Sequence, residues 1–484
     1  MARNKQDYER CTQKCQREEV RYLYPFTPLP LYPLKVICFG PGPKFKGGIS
    51  NYNTSLAKAL DRRGDCEVHI VSWTQQYPAI IPREFVDKTS KVDLLEGTDI
   101  KVHYLTNYNN PLSWRETYRK IVELKPDKVV FQWAIAIQGL PLGYIARKLK
   151  KHAEIEVIFD LHFVIQKESS SLDKRFTAYG ITPADTFIAH AYKTVDELKE
   201  LFPGRPFEVN ESGARTIAKQ SGDGAQVPRA TPVIKLYHPI YDLFAPRADF
   251  DVPAFKAKHQ LREHVFLFFG FIRKYKGLHN VIRAFAELAG RRDDVSLIIC
   301  GESFWDTLKS DKLSTKLKNA TFGLAKKVFL KKADDEREYR PLELLDELGI
   351  RDRVMVKNEF VANEEVHQYF QASDAVILFY EYATPSGVES ISYNFQLPAV
   401  ATKVGHFPET IRDGYNGYLA NPDDVQDMAR QMERMIEQPI PRANVHETTK
   451  EMSWDNYAAA IVRSGLPTAE GSSGTQRSPD RGRK

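Results

Sequence analysis

The stretch that decides the fold runs from Ala375 to Leu419 and begins AVILFYEYATPSGVES. Its apolar run at Ala375–Tyr380 predicts a buried strand, because a short continuous apolar run fits a strand that is covered on both faces. A loop of small residues at 383–388 then opens a helix-length stretch. A second apolar run, Pro398–Ala401, and the sequence DGYNGYL at 413–419 close the unit. This order of elements predicts part of a parallel α/β domain.

The loop at 383–388, ATPSGV, has a composition that suits an anion site. Backbone N–H groups at a helix start are free to point at an anion, and the helix dipole favours negative charge there. Small residues let a phosphate approach the backbone closely. An ordinary turn is the alternative, since Pro-Ser-Gly also forms one.

Length and composition narrow the class of protein. A chain of 484 residues predicts about two to four domains, and its net charge of +6 is too small to indicate a nucleic-acid partner. The polar segment Met1–Tyr22 predicts no secretory leader. Val129–Ala146 is uncharged, but Gln, Gly and Pro interrupt it, so it predicts a buried strand and a helix start, not a membrane span. Five cysteines without a paired spacing fit a reducing cytosol.

Strands and helices also alternate over the first half of the chain. The first strand, Leu34–Phe39, leads into the glycine loop GPGPKFKGGI at 40–49, and apolar residues at a period of 3.6 predict a helix after it. The loop is not Gly-x-Gly-x-x-Gly, which disfavours a two-domain oxidoreductase. Further strands are predicted at Glu67–Trp73, Ile100–Leu105, Lys128–Trp133, Glu156–Leu161, Asp185–His190 and Pro232–Tyr237.

The segment from Pro398 to Gly417 resembles the retaining GT-B glycosyltransferases of family 4. PAVATKVGHFPE at 398–409 and DGYNG at 413–417 are similar to the family's succession of Pro-Val-Val-Ala-Thr, Gly-Gly, Pro-Glu and Asp-Gly-x-Asn-Gly. The loop at 383–388 is similar to the Ala-Thr-x-Ser-Gly-Val loop of one branch. The resemblance extends over roughly residues 34–463. It implies an α/β fold of GT-B type, with two Rossmann-like doubly wound domains facing a central cleft.

Two cations follow the strand that is predicted at Val265–Phe269. Arg273 and Lys276 stand directly off its end, where they could grip a leaving diphosphate as its negative charge grows. Most of the family has an arginine at the position of Phe271, and Arg273 is its expected substitute; a solvated basic loop is the alternative. The resemblance implies metal-independent transfer without a cofactor. The chain's Asp-x-Asp, at 249–251, lies outside any predicted strand end and is a weak metal candidate.

The resemblance also implies which residues bind the donor. The candidates are Gly47, Gly48, Gly301, Glu302, Phe360, Val361, Ser386, Gly387, Val388 and Glu389. A plain flexible loop is the alternative for the two glycines of the first loop. The family's Glu-x7-Glu pair falls on Ala383 and Ile391, whereas Glu381 and Glu389 have the same spacing displaced by two positions. Either the loop is re-registered and Glu389 reaches the ribose hydroxyls, or the match is chance, which we favour.

Three histidines follow predicted strands of the first domain. They are His162, His190 and His238, and ligands of parallel sheets bind at such strand ends. His162 resembles the family's histidine beside the transferred sugar, so we assign it a catalytic role and the other two the lining of the cleft. Trp133 also ends a strand and is assigned to the cleft lining, where it could stack on a sugar; a place in the core is the alternative.

These elements predict a domain order. It comprises an N-terminal extension (1–33), an acceptor domain (34–240), a linker (241–260), a nucleotide-sugar domain (261–440), a helix that crosses back to the first domain (441–464) and a disordered tail (465–484). Residues 204–231 predict a mobile surface loop. A lysine-rich insertion at about 306–341 is either an amphipathic contact with lipid or a solvated excursion.

The expected function is that of a hexosyl- or glycosyltransferase (EC 2.4 class), which moves a sugar from a nucleotide-diphosphate sugar to a glycan or lipid-linked acceptor with retention of configuration. The expected location is the cytoplasm, with peripheral contact at the inner face of the membrane as a further option. The displaced Glu pair motivates one alternative, a catalytically degenerate sugar-nucleotide-binding partner of another transferase.

Overall fold

The structure is a computed structural model, and it describes residues 32–77, 85–88, 90–152, 154–165, 171–210, 230–303, 339–383, 385 and 387–465. Most of the N-terminal extension, nearly all of the lysine-rich insertion, Ser386 and the tail after Gly465 lie outside the described residues. Within the described ranges, no helix is both long and apolar enough to cross a membrane.

The first domain is built on a parallel sheet of eight strands in the order β3-β2-β1-β4-β5-β6-β8-β7. Its elements are β1 (Leu34–Phe39), α1 (Gly48–Arg62), β2 (Cys66–Gln75), β3 (Lys101–Asn107), α2 (Pro111–Leu124), β4 (Lys128–Trp133), α3 (Gly139–Leu149), β5 (Glu156–Leu161), α4 (Ser171–Ile181), β6 (Thr186–Ala189), α5 (Tyr192–Leu201), β7 (Phe207–Asn210) and β8 (Thr231–Lys235).

The second domain has a parallel sheet of six strands in the order β11-β10-β9-β12-β13-β14. Its elements are α6 (Val252–Lys258), β9 (His264–Phe269), α7 (Leu278–Ala289), β10 (Val295–Cys300), α8 (Leu344–Glu347), β11 (Val354–Lys357), α9 (Val366–Gln371), β12 (Ala375–Leu378), α10 (Gly387–Asn394), β13 (Ala399–Thr402), α11 (Phe407–Thr410), β14 (Gly417–Ala420), α12 (Val425–Glu437), α13 (Arg442–Thr449) and α14 (Trp454–Arg463). The predicted fold class, two parallel-sheet α/β domains, is confirmed.

Hydrophobic burial explains why these segments form these elements. The central strands are apolar runs with both faces covered, as in β10, where all six residues are buried. In α7, Val281, Ile282, Phe285 and Leu288 recur at helical spacing and are fully buried. A core on one face of the first sheet continues through the connector into the second domain, so the two sheets share one large apolar cluster.

Helix α14 returns the chain to the first domain. Its residues Trp454 and Tyr457 pack against Tyr52 of α1 at ring-centroid distances of 5.0 and 6.0 Å. Just after the helix, the Ser464 carbonyl accepts a hydrogen bond of 2.6 Å from Nζ of Lys128, which is buried and paired with Glu156. The end of the described chain therefore completes a polar cluster at the amino ends of β4 and β5.

Two elements differ from the sequence-based expectation. The segment 204–231 was expected to be a loop, but it contains β7, which pairs with β8 at the sheet edge. Four residues with only two apolar side chains give a weak local signal, so the strand depends on its partner. The expected linker contains α6, whose first turn is capped by the Asp251 carboxylate at 2.9 Å from the N–H of Ala254.

Candidate active site

A cavity of about 240 Å³ lies where the carboxyl ends of the two sheets face each other. Loops that follow β1, β9, β10, β11 and β12 form its wall, as expected for ligand sites on parallel sheets. The structure brings together nine of the candidate residues on this wall: Gly47, Gly48, Lys276, Gly301, Glu302, Phe360, Val361, Gly387 and Val388.

The glycine loop after β1 is held rigidly on the first domain. Gly47 has φ of 110°, a conformation that side chains disfavour, and it precedes the first turn of α1. The hydroxyl of Ser50 donates to the carbonyl of Gly42 at 2.6 Å, and the N–H of Gly42 donates to the hydroxyl of Ser72 at 2.7 Å. These hydrogen bonds place the start of α1 with its backbone beside the cavity.

Lys276 brings a cation to the opposite wall of the cavity. A short helical turn, Lys274–Lys276, follows β9 and ends at Gly277, which has φ of 63°. A Cβ atom on Gly277 would lie 1.9 Å from the carbonyl oxygen of Phe379, so only glycine fits this close approach of two loops. Burial, together with the nearby charge of Arg273, lowers the pKa of Lys276 to about 8. A bound anion would therefore stabilise the charged form of this lysine.

Arg273 stands beside this lysine but does not line the cavity. Its guanidinium lies 6.0 Å from the ring centroid of Tyr275, and its charge acts on Lys276. Of the two predicted cations, Lys276 therefore faces the cavity directly and Arg273 belongs to its surroundings.

Phe360 and Val361 form the far end of the cavity, close to the first domain. The Nζ of Lys46 lies 4.6 Å from the ring centroid of Phe360. The carboxylate of Glu364 accepts hydrogen bonds from the N–H groups of Lys91 and Val92 at 2.7 and 3.1 Å. These contacts join the two domains beside this end of the cavity.

Tyr241, in the connector between the domains, forms the inner wall. Its hydroxyl donates to the carbonyl of Gly48 at 2.8 Å. Its ring packs on Gly387, because a Cβ atom there would lie 2.6 Å from Cε2 of the tyrosine. The other edge of the ring faces His238 at a centroid distance of 5.5 Å. One side chain thus contacts the glycine loop of the first domain and the first turn of α10 in the second.

The three predicted histidines are brought together, but behind this wall. The ring centroids of His162, His190 and His238 lie 5.2 to 6.4 Å apart, and Tyr52 packs against all three. None of the three lines the cavity. Tyr241, which does line the cavity, packs against His238. Cleft lining by His190 and His238 is therefore not observed.

A buried hydrogen-bond chain fixes the histidine protons. His190 Nε2 lies 3.0 Å from one oxygen of Asp160, and the Gln132 amide donates to the other oxygen at 3.2 Å. The Gln132 oxygen is then free to accept from Nε2 of His162 at 2.8 Å, which leaves Nδ1 of His162 as an acceptor. Burial lowers the pKa of His162 to about 4 and also lowers the pKa of His238. Both rings are therefore neutral near pH 7.

Trp133 is a core residue, which excludes the sugar-stacking role. Its side chain is fully buried, and a Cβ atom on Gly180 would lie 2.6 Å from its ring. Contacts with Gly139 and Phe159 complete its surroundings. Although β4 ends at Trp133, the ring turns into the layer of helices on that side of the sheet.

Glu389, one of the donor-binding candidates, does not line the cavity either. Its carboxylate is buried and lies 2.6 Å from Nε2 of His406, and Thr410 also donates to it. Glu381 lies 3.3 Å from Nε2 of His279, outside the cavity wall. Ile391 occupies the wall instead. The re-registered Glu pair is not supported, and the chance alternative stands.

The Asp-x-Asp carboxylates have structural partners. Asp251 caps α6, and Asp249 pairs with Arg247 at 3.0 Å on the surface. Among the described residues, the group of side chains with metal-ligand geometry is Glu263, His264 and Asp294, and none of the three lines the cavity. Asp294 already pairs with Arg292 at 2.6 Å, so this group is better explained as part of a surface ion pair.

Tyr241, Lys46 and Tyr52 are the site residues that sequence reasoning missed. Tyr241 follows His238 in a proline-rich connector without periodicity, and no local pattern marks it. Lys46 stands within the glycine loop, where a basic side chain beside two glycines was an available signal. Tyr52 lies within the apolar period that predicts α1, and nothing in that period marks its contacts with the histidines.

The second domain matches a known family. Residues 251–452 match the sequence model of the family described as Glycosyl transferases group 1. A D-inositol 3-phosphate glycosyltransferase from Thermobifida fusca (strain YX) is 33% identical over 131 residues. That alignment covers 25% of this chain and 28% of the relative, so less than a third of the relative's length is spanned.

Solved structures resemble the chain over both domains. A glycosyltransferase from Rickettsia africae ESF-5 has a TM-score of 0.59 at 14% identity, over 89% of this chain and 97% of that chain. The Anabaena protein HepE, solved in complex with UDP and glucose, has a TM-score of 0.54 at 15% identity with the same coverage. At such low identity the likeness concerns the fold alone, which is GT-B.

Proposed function

We propose that the chain is a glycosyltransferase that moves a sugar from a nucleotide-diphosphate sugar to a glycan or lipid-linked acceptor. The observation that carries the proposal is Lys276: a lysine of lowered pKa on the wall of a cavity that both domains share. It lies within the segment that matches the group 1 family.

In the proposed reaction the donor diphosphate binds between the glycine loop and the start of α10. On one side, Gly47 and Gly48 let the diphosphate approach the backbone closely. On the other side, Gly387 and Val388 begin α10, where backbone N–H groups favour an anion. Lys276 neutralises the negative charge that builds on the departing diphosphate, and the nearby positive charge of Arg273 adds to this stabilisation without contacting the diphosphate directly. The base packs against Phe360 and Val361. Metal-independent transfer with retention of configuration is part of the proposal, supported by the motif resemblance.

His162 is proposed to lie beside the sugar during transfer. Because its ring does not line the cavity, this role requires Tyr241 or the two domains to move when the donor binds. Such a movement would pivot at the connector, where Asp242 contacts Ser55 and Arg62 of the first domain and the carbonyl of Phe244 accepts a hydrogen bond from Asn394 of the second.

A second candidate function is a degenerate sugar-nucleotide-binding partner of another transferase. The observation in its favour is the apolar Ile391 on the cavity wall, together with Glu389 turned towards His406. Such a protein would bind a nucleotide sugar without breaking it.

Thermal stability against a panel of nucleotides and nucleotide sugars tests both proposals. UDP is the first probe, since the HepE structure contains it. Stabilisation by one nucleoside diphosphate, with slow hydrolysis of the matching nucleotide sugar, is the expected result. Stabilisation without turnover, even with glycan and lipid-linked acceptors, would favour the binding partner. No response to any nucleotide would overturn both. We further propose a cytoplasmic protein that contacts the inner face of the membrane.

A further inference from the structure

Three neighbouring helices of the first domain each present an exposed leucine near their start. Leu112 of α2 is 77% exposed, Leu140 of α3 is 39% exposed and Leu172 of α4 is 40% exposed. Each of these helices follows a strand of the parallel sheet, and α3 packs between the other two. Their first turns therefore lie towards the carboxyl edge of the sheet, on the side where the cavity opens.

Basic residues continue from these leucines along the same helices. In α2, Arg115 and Arg119 follow Leu112 at i+3 and i+7, which places them on one stripe. Arg175 follows Leu172 at i+3 in α4. These three arginines are exposed, and none forms an ion pair with any residue that the structure describes. The same apolar-then-basic order thus recurs on helices that are far apart in sequence.

The face as a whole carries an excess of positive charge. The described residues of 111–124, 139–154 and 171–182 contain nine basic and four acidic side chains. Two of these lysines, Lys150 and Lys174, pair with Asp185 and Glu200 outside the three ranges, and an excess of three positive charges is left. Tyr179 is also exposed and lies 3.7 Å under the guanidinium of Arg147. We call this surface, formed by α2, α3 and α4 with Leu112, Leu140 and Leu172 at its edge, the α2–α4 face.

We propose that the α2–α4 face docks on an anionic phospholipid bilayer. The leucines enter the boundary between headgroups and acyl chains, and the arginines contact lipid phosphates, as on interfacial helices. Single exposed leucines are ordinary on soluble proteins. Three exposed leucines at one edge match the apolar layer of a membrane surface, and the unpaired arginines behind them match the negative charge of its headgroups. A nucleic acid would match the positive charge of the arginines but has no apolar layer that the leucines could enter.

This docking deepens the proposed function, because it places the mouth of the cavity next to the membrane and selects a lipid-linked acceptor. The surface itself does not depend on the donor site. Vesicle binding can therefore be measured without any nucleotide, and its outcome is separate from the thermal-shift test of the donor.

The test is co-sedimentation of the full chain with phosphatidylcholine vesicles, with and without phosphatidylglycerol. The wild-type chain is expected to bind the anionic vesicles and to be released by salt. The triple variant Arg115→Gln, Arg119→Gln, Arg175→Gln is expected to bind about 100-fold more weakly, since each charge near the surface contributes about fivefold. The triple variant Leu112→Ser, Leu140→Ser, Leu172→Ser is expected to lose binding that survives in high salt.

Matched controls lie on the second domain. Leu348→Ser removes a leucine that is 42% exposed. The triple variant Lys258→Gln, Arg283→Gln, Lys403→Gln removes the same net charge from exposed residues that, like the three arginines, form no ion pair with any residue the structure describes. Both are expected to bind like the wild type. Failure of the wild type to bind anionic vesicles would overturn the proposal. It would also be overturned if the variants of the α2–α4 face bind like the wild type, or if the control variants lose as much affinity for the vesicles as they do. If the triple leucine variant unfolds, the single variant Leu112→Ser, at the most exposed of the three sites, takes its place in the vesicle assay.

Discussion

Replacing Lys276 with methionine removes the cation from the cavity while it keeps a side chain of similar length. An ammonium about 4 Å from a phosphate, at an effective dielectric constant of about 20, gains roughly 4 kcal/mol. Charged hydrogen bonds in proteins contribute about 1.5–3 kcal/mol net of desolvation. We therefore expect the Lys276→Met variant to bind UDP with about 2 kcal/mol less free energy, or about 30-fold more weakly.

The pH dependence of binding gives a second readout. Because the pKa of Lys276 is lowered to about 8, the lysine loses its proton as pH rises through that value. Affinity of the wild type for UDP should fall by up to about tenfold between pH 7 and pH 9, since about a tenth of the lysine stays charged one unit above its pKa. Lys276→Arg keeps its charge and should give a flatter profile.

Isothermal titration calorimetry with UDP measures both effects. The matched control is Lys274→Met, which removes a lysine from the same short turn but not from the cavity wall. If Lys276→Met binds as tightly as Lys274→Met, or if the wild-type affinity does not change with pH, the assignment of Lys276 to the diphosphate is wrong.

Three further predictions concern the surroundings of the cavity. Tyr241→Phe removes the hydrogen bond to the Gly48 carbonyl and should lower the free energy of unfolding by about 1 kcal/mol in urea titrations, while it leaves the ring on Gly387; unchanged stability would show that this bond contributes nothing. Gly277→Ala places a Cβ atom 1.9 Å from the Phe379 oxygen and should cost at least about 2 kcal/mol, visible as a lower melting temperature; a fully stable variant would contradict the close approach. Glu389→Ala leaves the His406 ring without its buried partner and should lower the free energy of unfolding by about 2–3 kcal/mol in the same titrations, while UDP affinity is retained. A large loss of UDP affinity at normal stability would instead show that Glu389 binds the ribose.

The strands and glycine loops were predictable because their signals are local. Continuous apolar runs such as Val295–Cys300 require burial on both faces wherever the chain places them. Gly47 and Gly277 mark loops that leave strand ends in conformations that other residues disfavour. The direction of a parallel sheet then puts such loops at one edge without further information.

The orientation of single side chains was not predictable in the same way. Glu389 and Ile391 lie two positions apart on α10, and the rotation of that helix decides which of them lines the cavity. Tyr241 contacts Gly48 across 193 positions of sequence, and its role depends on how the two domains meet. Trp133 could end a strand and point to either side. Such choices are made by tertiary packing, which leaves no periodic pattern in the chain.

The bond between Lys128 and the Ser464 carbonyl sets a constraint on the order of synthesis. Lys128 and Glu156 are nearly buried in the finished protein, with side-chain exposures of 7% and 10%. A ribosome has made both residues about 300 positions before Ser464 exists. A nascent first domain that folds early therefore holds this ion pair open to water, with the side of α1 that α14 later covers still exposed, until Ser464 has been synthesised. We expect a polypeptide stopped before α14 to depend on chaperones more than one that includes α14, because its first sheet is finished but the surface that α14 covers is exposed.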